Sequence, residues 1–290
     1  MPGTLYLVAT PIGNLDDMPP RVAATFAAAD FVAAEDTRVT LRLLNHLGLK
    51  KPMVSYYEHA LHHGAAILAR IQAGEDCALC SDAGMPCISD PGAVLVRDVL
   101  DAGIRVVPVP GASACITALA VSGQDTARFV FEGFLPRPKK ERRARLEALR
   151  REERTILLYE APHRLRATLE DLSGALGAER SVTLCRELTK LHEEIVKTTL
   201  GAAAGHYRQT EPRGEYVLVV AGAQPGGADA APLTRQDVVA AARQLLADGA
   251  SPAAAAKQAA AGTPFARGEI YKELLADRAG PDADRPDGGE

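Results

Sequence analysis

Four short apolar runs punctuate the first 120 residues: TLYLVA (4–9), DFVAAE (30–35), DCALCS (76–81) and IRVVPV (104–109). Each is bounded by Gly, Pro or Asp and followed by a turn and a helix-like pattern. A strand that is apolar along its whole length has no polar face to turn to water, so it needs helices on both sides of its sheet, which is the arrangement of parallel sheets. The chain is therefore read as α/β, with a parallel-sheet N-terminal domain over 1–122.

A second set of runs, FVFEGF (129–134), TILLYE (155–160), SVTLCRE (181–187), EEIVKTT (193–199) and EYVLVVAG (215–222), predicts a mixed sheet in a second α/β domain over 123–223. The Gly/Pro/Ala-rich segment 224–232 reads as a linker, 233–277 as a small helical C-terminal domain, and 278–290 as a disordered tail. Within the helical part Ser251 is placed to cap an Ala-rich helix, and Ile270, Leu274 and Leu275 share one face of the next.

A chain of 290 residues can bury two cores without disulfides or metals. Its five cysteines, an odd number in or beside apolar runs, fit a reduced cytoplasmic compartment. The N-terminus lacks a basic start and a long apolar stretch, and no segment approaches about 18 uninterrupted apolar residues, so neither export nor a membrane partner is expected. Cys77 and Cys80 form a C-x-x-C, but an odd separation on a strand points them to opposite faces, and no second pair accompanies them. His59 and His63 have the i, i+4 spacing that can pinch a metal, yet lack a nearby third ligand and read as a solvated or substrate-facing helix. The expected metal is none.

Neither the G-x-G-x-x-G fingerprint nor the G-x-x-x-x-G-K-[ST] loop occurs. Instead Gly/Pro turns follow the apolar runs: TPIGNLDD (10–17), SDAGMPCISDPG (81–92) and PVPGASA (108–114). Ligands of open α/β sheets bind at such carboxyl ends. Ser81 and Asp82 close the third run, Gly84 permits close backbone approach, and Ser89, Asp90 and Pro91 are expected to open a helix. Any one of these taken alone reads as an ordinary strand-to-helix turn, but three together in one half-chain shift the reading toward a ligand site.

Charge is uneven along the chain. Segment 137–151 holds Arg137, Lys139, Lys140, Arg142, Arg143, Arg145, Arg150 and Arg151 against Glu141 and Glu147. It is either a solvated helix face or a phosphate-binding arm, made to protrude by Pro136 and Pro138. LYEAPHRL (158–165) and LCRELTKLHEE (184–194) also place charged residues directly after apolar runs, as cleft-lining segments do.

Taken in order, ATPIGNLDD, AAEDTR, SDAGMPCISDPG, VPGASA, FEGFLPR, YEAPHRL, CRELTKLHEE and PRGEYVLVVAG resemble the tetrapyrrole-methylase superfamily, and within it the ribosomal-RNA branch that methylates a cytidine 2'-hydroxyl of small-subunit (16S) RNA. The resemblance is strong over about 3–222 and weak beyond. It implies the two-domain tetrapyrrole-methylase fold, S-adenosylmethionine as methyl donor in the cleft between the α/β domains, no metal, a homodimer, and small ribosomal subunit RNA as partner. By the same resemblance the donor contacts Pro11, Ser81, Asp82, Ala83, Gly84, Ile88, Ser113, Ala114, Glu160, Ala161, Arg186 and Gly214. Met85 and Ala112 depart from the branch, which usually has Thr and Pro there.

A ribose hydroxyl attacks poorly unless its proton is partly removed. Asp36, Glu160 and His163 are the candidate bases, with Glu35 and Asp82 also at expected cleft positions. Asp36 is equally suited to cap a helix. Arg38, Arg137, Lys139, Lys140, Arg142, Arg143 and Arg164 are the candidate RNA-binding residues, with Arg186 a further phosphate holder. Lys257, Arg267 and Lys272 make the C-terminal helices a candidate second RNA-binding surface. Two other readings fit the same residues: a methyltransferase of the same fold acting on a small tetrapyrrole, and a non-catalytic RNA-binding assembly factor.

Overall fold

The computed structural model describes residues 1–57, 61–224, 235–261, 263 and 265–276, and the chain divides into two compact units, Met1–Ala223 and Gln224–Glu290. In chain order the first unit begins β1 (Leu5–Val8), α1 (Pro20–Ala28), β2 (Phe31–Ala34), α2 (Thr37–His46), β3 (Met53–Ser55), α3 (Leu61–Gln72), β4 (Cys77–Cys80), α4 (Ala93–Asp101), β5 (Val106–Val109) and α5 (Ala114–Val121). The five strands form one sheet of order β3-β2-β4-β1-β5, parallel throughout.

The unbroken apolarity of these strands has the predicted cause. Leu5, Phe31, Ala33, Cys77 and Leu79 face Ile67 and Ile71 of α3 and Leu95 and Val99 of α4, while Val8, Val32, Ala34, Ala78 and Cys80 face Val22 and Phe26 of α1 and Leu44 of α2. Each large side chain so buried contributes about 1.5–3 kcal/mol. Cys77 and Cys80 fall in different layers, and burial pushes both thiols up to about 12. Strand β3 was not expected, since three half-buried residues on a sheet edge carry no periodic signal. Helix α4 also departs from expectation: it starts at Ala93, leaving Ser89, Asp90 and Pro91 in the preceding loop. That loop coils tightly, with Cys87 and Ser89 in left-handed backbone at φ 72° and 67°.

The rest of the unit comprises β6 (Phe129–Gly133), α6 (Lys139–Leu149), β7 (Thr155–Glu160), α7 (Pro162–Leu176), β8 (Ser181–Arg186), β9 (Glu194–Thr199), α8 (Leu200–Gln209) and β10 (Tyr216–Val220). The sheet order is β6-β7-β10-β8-β9; β6 and β7 run parallel and the other pairs antiparallel, a mixed sheet as expected. One face packs on α6, α7 and α8 through Leu146, Leu149, Leu165, Leu169, Leu172 and Leu200. The other face carries Leu157, Cys185, Val217 and Val219 against Cys115, Ala118 and Leu119 of α5, so the last helix of the first sheet roofs the second. Thr183 on this roofed face is fully buried and donates its hydroxyl to the Ser122 carbonyl at 2.8 Å.

The basic segment is a docked helix rather than a protruding arm. Pro138 is the N-cap of α6, where its ring is harmless, and Leu146 and Leu149 anchor the helix in the core. The second unit holds α9 (Arg235–Ala247), α10 (Pro252–Ala260) and α11 (Arg267–Ala276), packed through Val238, Val239, Ala242, Ala255, Ala256, Ile270 and Leu274. Ser251 caps α10 by accepting from the Ala254 amide at 3.3 Å. Leu275 is exposed, one position past the buried face that Ile270 and Leu274 share. Apart from Gln224, the expected linker (224–232) lies outside the described residues, as does the expected tail (278–290).

The Thr183 bond gives a direct test of the α5 roof. Thr183→Val keeps the volume but leaves the Ser122 carbonyl without its donor, and a loss of about 1–3 kcal/mol is expected. In urea unfolding the midpoint should fall with the slope unchanged.

Candidate active site

In a parallel sheet every strand ends at the same edge, so the loops after β1, β4 and β5 are brought together however far apart they lie in sequence. Here β1 and β4 are adjacent while their successors β2 and β5 lie to opposite sides, which opens a crevice between them. A two-bond bridge closes its floor: Thr10 N–H donates to the Gly84 carbonyl at 2.9 Å and Gly84 N–H returns to the Thr10 carbonyl at 3.0 Å. The Thr10 hydroxyl also donates to the Ser81 carbonyl at 3.2 Å. Gly84 sits at φ +80°, and a Cβ there would stand 3.4 Å from Ile12 and 3.5 Å from the Ala112 carbonyl, so the three turns meet around a position that favours glycine.

Above this floor lies a cavity of about 270 Å³. Of the expected donor-binding residues, Asp82, Ala83, Gly84, Ile88, Ser113, Ala114, Glu160 and Ala161 line it together. Pro11, Ser81, Arg186 and Gly214 are not among its wall residues. Ile12 stands there instead of Pro11, and Ser81 is buried beneath. Arg186 is turned to Glu194 on the next strand at 2.9 Å. Gly214, at φ +76°, lets its loop pass where a Cβ would fall 2.5 Å from the Glu187 side chain. Sequence reasoning had not singled out Asp90, Phe134, Tyr159, Leu188, Lys190 or Tyr216 as wall residues. All but Asp90 lie within a few residues of a strand terminus, whereas Asp90 sits deep in the loop between β4 and α4.

The cavity is rich in carboxylates. Glu35 accepts from the Asp82 amide at 3.3 Å, and Asp82 accepts from the Asp36 amide at 3.1 Å. Burial raises the proton affinity of Glu35 and of Asp82, reinforced by the neighbouring acids. Asp90 is pushed up to about 6 by burial and by the charge of Glu35, against a lowering hydrogen bond from the Ser81 hydroxyl. On the facing wall Lys190 bridges Glu187 at 2.8 Å and Glu215 at 2.9 Å, and its hydrogen bond holds Glu187 below the usual carboxylate range. An excess of acids around apolar walls (Ile12, Ile88, Phe134, Leu188) suits a ligand with an apolar body and positive charge.

The candidate bases separate. Asp36 caps α2, accepting from the Arg38 amide at 2.8 Å, and grips the Arg38 guanidinium at 2.6 Å; that hydrogen bond takes its carboxyl down to about 2. It lies beside the cavity, not in its wall, and Arg38 is committed to it. Glu160 is in the wall, but its buried carboxylate already accepts from the Thr168 hydroxyl and the Ala161 amide (2.9 Å) and pairs with Arg164 at 3.4 Å. His163 is elsewhere, in a second and larger groove.

That groove, about 850 Å³, runs between α6 and α7 and is lined by Pro136, Arg137, Lys139, Arg142, Arg143, His163 and Arg164. Two of its cations face inward: Arg142 to Asp171 (2.6 Å) and Thr168 (2.9 Å), and Arg164 to the Leu135 carbonyl (2.6 Å). Lys140 joins Lys139 and Arg143 in an adjoining depression, while Arg145 pairs with Glu132 at 3.0 Å. Arg137, Lys139, Lys140 and Arg143 form no ion pair among the described residues. His59 lies outside the described residues, and His63 Nδ1 lies 2.7 Å from the Ser55 carbonyl. Among the described residues no group of three or more His, Cys, Asp or Glu side chains is placed to hold a metal, and no helix is long and apolar enough to cross a membrane.

The Lys190 bridge fixes a pH dependence. Because Glu187 is held below its ordinary 4.5, it contributes stability above that pH and loses it as the pH falls through the folded value. Lys190→Ala should lower the melting temperature at pH 7 and flatten the fall between pH 5 and 3, read from melting curves across that range.

The profile of the Tetrapyrrole (Corrin/Porphyrin) Methylases matches residues 4–204. "Ribosomal RNA small subunit methyltransferase I" of a Synechocystis species is 48% identical over 279 residues, covering 95% of this chain and 99% of its own. The Bacillus subtilis protein of the same name is 42% identical over 275 residues, 93% of each. Among solved structures, uroporphyrin-III C-methyl transferase from Thermus thermophilus complexed with S-adenyl homocysteine superposes with a TM-score of 0.55 at 17% identity, covering 76% of this chain and 97% of that one, and so shares its fold.

Proposed function

The chain belongs to the tetrapyrrole (corrin/porphyrin) methylase family, and from that premise we propose that it transfers a methyl group from S-adenosylmethionine to the 2'-hydroxyl of a cytidine in small-subunit ribosomal RNA, as a homodimer in the cytoplasm. The observation that carries this reading is an adjacency at the start of α7. Ala161 lines the carboxylate-rich cavity and His163, two residues on, lines the basic groove. A polyanion held in the groove thus runs past the mouth of a cavity suited to a cation. The names of the relatives point to the same RNA.

The donor, a co-substrate, supplies a methyl carbon activated by a positively charged sulfur. The backbone of Ala83, Gly84, Ser113 and Ala114 would hold it, with Ile12, Ile88 and Leu188 against its apolar parts and Glu35 and Asp82 facing its positive charge. What remains for the protein is alignment, which can supply about 7–11 kcal/mol of a barrier of this kind. Arg142 and Arg164, fixed by Asp171, Thr168 and the Leu135 carbonyl, give the groove its rigid wall, and Arg137, Lys139, Lys140 and Arg143 meet phosphates. Leu191 is almost fully exposed, as are Ile195 and Val196 in part on the edge strand β9, an apolar margin that a second copy would cover.

With radiolabelled donor and small ribosomal subunits from cells lacking the enzyme, a single 2'-O-methylated cytidine is expected on mapping. Donor binding without label on RNA would favour the small-tetrapyrrole reading, and no donor binding the assembly factor. Reversing Arg137, Lys139 and Arg143 to Glu should weaken RNA binding and make its log–log salt slope shallower by roughly 0.7–0.9 for each phosphate no longer neutralised, with donor affinity unchanged. Filter binding at a series of salt concentrations reads both.

A further inference from the structure

We propose that Asp90 is the general base of the reaction, taking the proton of the attacking hydroxyl; the inference rests on the methyl-transfer reading above. The cavity walls carry six carboxylates, Glu35, Asp82, Asp90, Glu160, Glu187 and Glu215, and hydrogen bonds commit five of them elsewhere. Glu160 is saturated by Thr168, Ala161 and Arg164, and Glu187 and Glu215 are tied to Lys190. Glu35 and Asp82 each accept a backbone amide, from Asp82 and Asp36 respectively. Those two bonds hold the turns after β2 and β4 together and favour the charged forms.

Asp90 differs. No backbone amide or cation is bonded to it among the described residues; its polar neighbour is the Ser81 hydroxyl, buried just past the end of β4, which also donates to the Ala83 carbonyl at 3.4 Å. The charged and titratable groups facing it are Glu35 from the end of β2, Asp82 from the end of β4, the Cys87 thiol of its own loop and Tyr159 from β7, none of them a cation that would oppose its taking a proton. Its loop is held in an uncommon shape: Cys87 and Ser89 on either side of Ile88 are left-handed, and Gly92 at φ +138° packs so closely that a Cβ would meet the Cys87 sulfur at 2.5 Å. Non-glycine residues in that region cost of order 1 kcal/mol or more and persist where the surroundings over-determine them. The result is that Ile88 and Asp90 both line the cavity although the helix expected to include Asp90 begins later.

The step balances. The hydroxyl proton passes to the Asp90 carboxylate, the freed oxygen pair forms the bond to the methyl carbon, and the pair of the broken carbon–sulfur bond stays on sulfur. A carboxylate and a sulfonium become a carboxylic acid and a thioether. A base near 6 is deprotonated at neutral pH and still has proton affinity to use.

The test uses full-length wild type, Asp90→Asn and Glu35→Gln. Asp90→Asn should fold well, because a carboxyl whose folded value is raised from 3.8 to about 6 loses stability as the pH rises through that interval, and the amide removes the cost. Carbon-13 titration of the Asp90 carboxyl in the free protein should show a midpoint near 6, moving down in Glu35→Gln where the neighbouring charge is gone. Donor binding should remain measurable by calorimetry in Asp90→Asn, and with the donor site saturated the single-turnover rate on subunits should fall about a hundredfold or more. The acid limb of the wild-type rate should break near the carboxyl's own midpoint, shift down with it in Glu35→Gln, and vanish in Asp90→Asn. Wild-type transfer accompanied by an Asp90→Asn rate within about threefold, or by an acid limb that persists in that variant, would overturn the inference alone. Absence of wild-type transfer to RNA would overturn the functional reading and this inference with it.

Discussion

The two hydrogen bonds between Thr10 and Gly84 are the constraint on which the rest depends. They join the chain after β1 to the chain after β4 at the point where the sheet's connections part, and so convert two separate turns into one floor. With the Thr10 hydroxyl on the Ser81 carbonyl, the floor also sets where β4 ends and therefore where Asp82 and the loop to Asp90 begin. The α5 roof, pinned by Thr183 to Ser122, then brings the second sheet over the same edge. A cavity at that place is the consequence of topology plus these few bonds, not of any single motif.

Electrostatics divides the labour across α7. On one side of its first turn are the acids Glu35, Asp82 and Asp90; on the other are Arg137, Lys139 and Arg143. Glu160 and Arg164, a buried pair one turn apart, stand between the two fields and are held by Thr168 and the Leu135 carbonyl. Breaking either partner would leave the other buried and uncompensated, so the pair is better read as the wall that keeps the two sites in register than as catalytic machinery. The charge runs of the sequence thus resolve into paired and unpaired members only when their partners are seen: Arg142 and Arg145 are consumed by Asp171 and Glu132, while Lys139 and Arg143 pair with no acid among the described residues.

Much of the fold was legible because burial leaves a periodic trace. Strand β7 coincides with TILLYE, and Cys77 and Cys80 fall on opposite faces as an odd separation requires. The three-residue β3 left no trace, and the prolines before α6 suggested an arm where Leu146 and Leu149 dock the helix. The turn at Gly84 was readable as a loop, since it follows an apolar run, but its shape was not. Whether Asp90 opens a helix or turns into the cavity depends on left-handed backbone at Cys87 and Ser89, which residue type does not announce. For the same reason Asp36 read equally as a base and as a helix cap, and its bonds to the Arg38 amide and guanidinium decide for the cap. Side-chain partners across strands are long-range facts, and a single sequence carries them poorly.

The central claim is that the cavity above the Thr10–Gly84 floor is the methyl-donor site. A crystal structure of the protein with S-adenosylhomocysteine tests it most directly. The account predicts density against the backbone of Ala83, Gly84, Ser113 and Ala114, between Ile12 and Leu188, with Asp90 facing the sulfur side. Density in the groove between α6 and α7, or at any place away from the Gly84 turn, would contradict it.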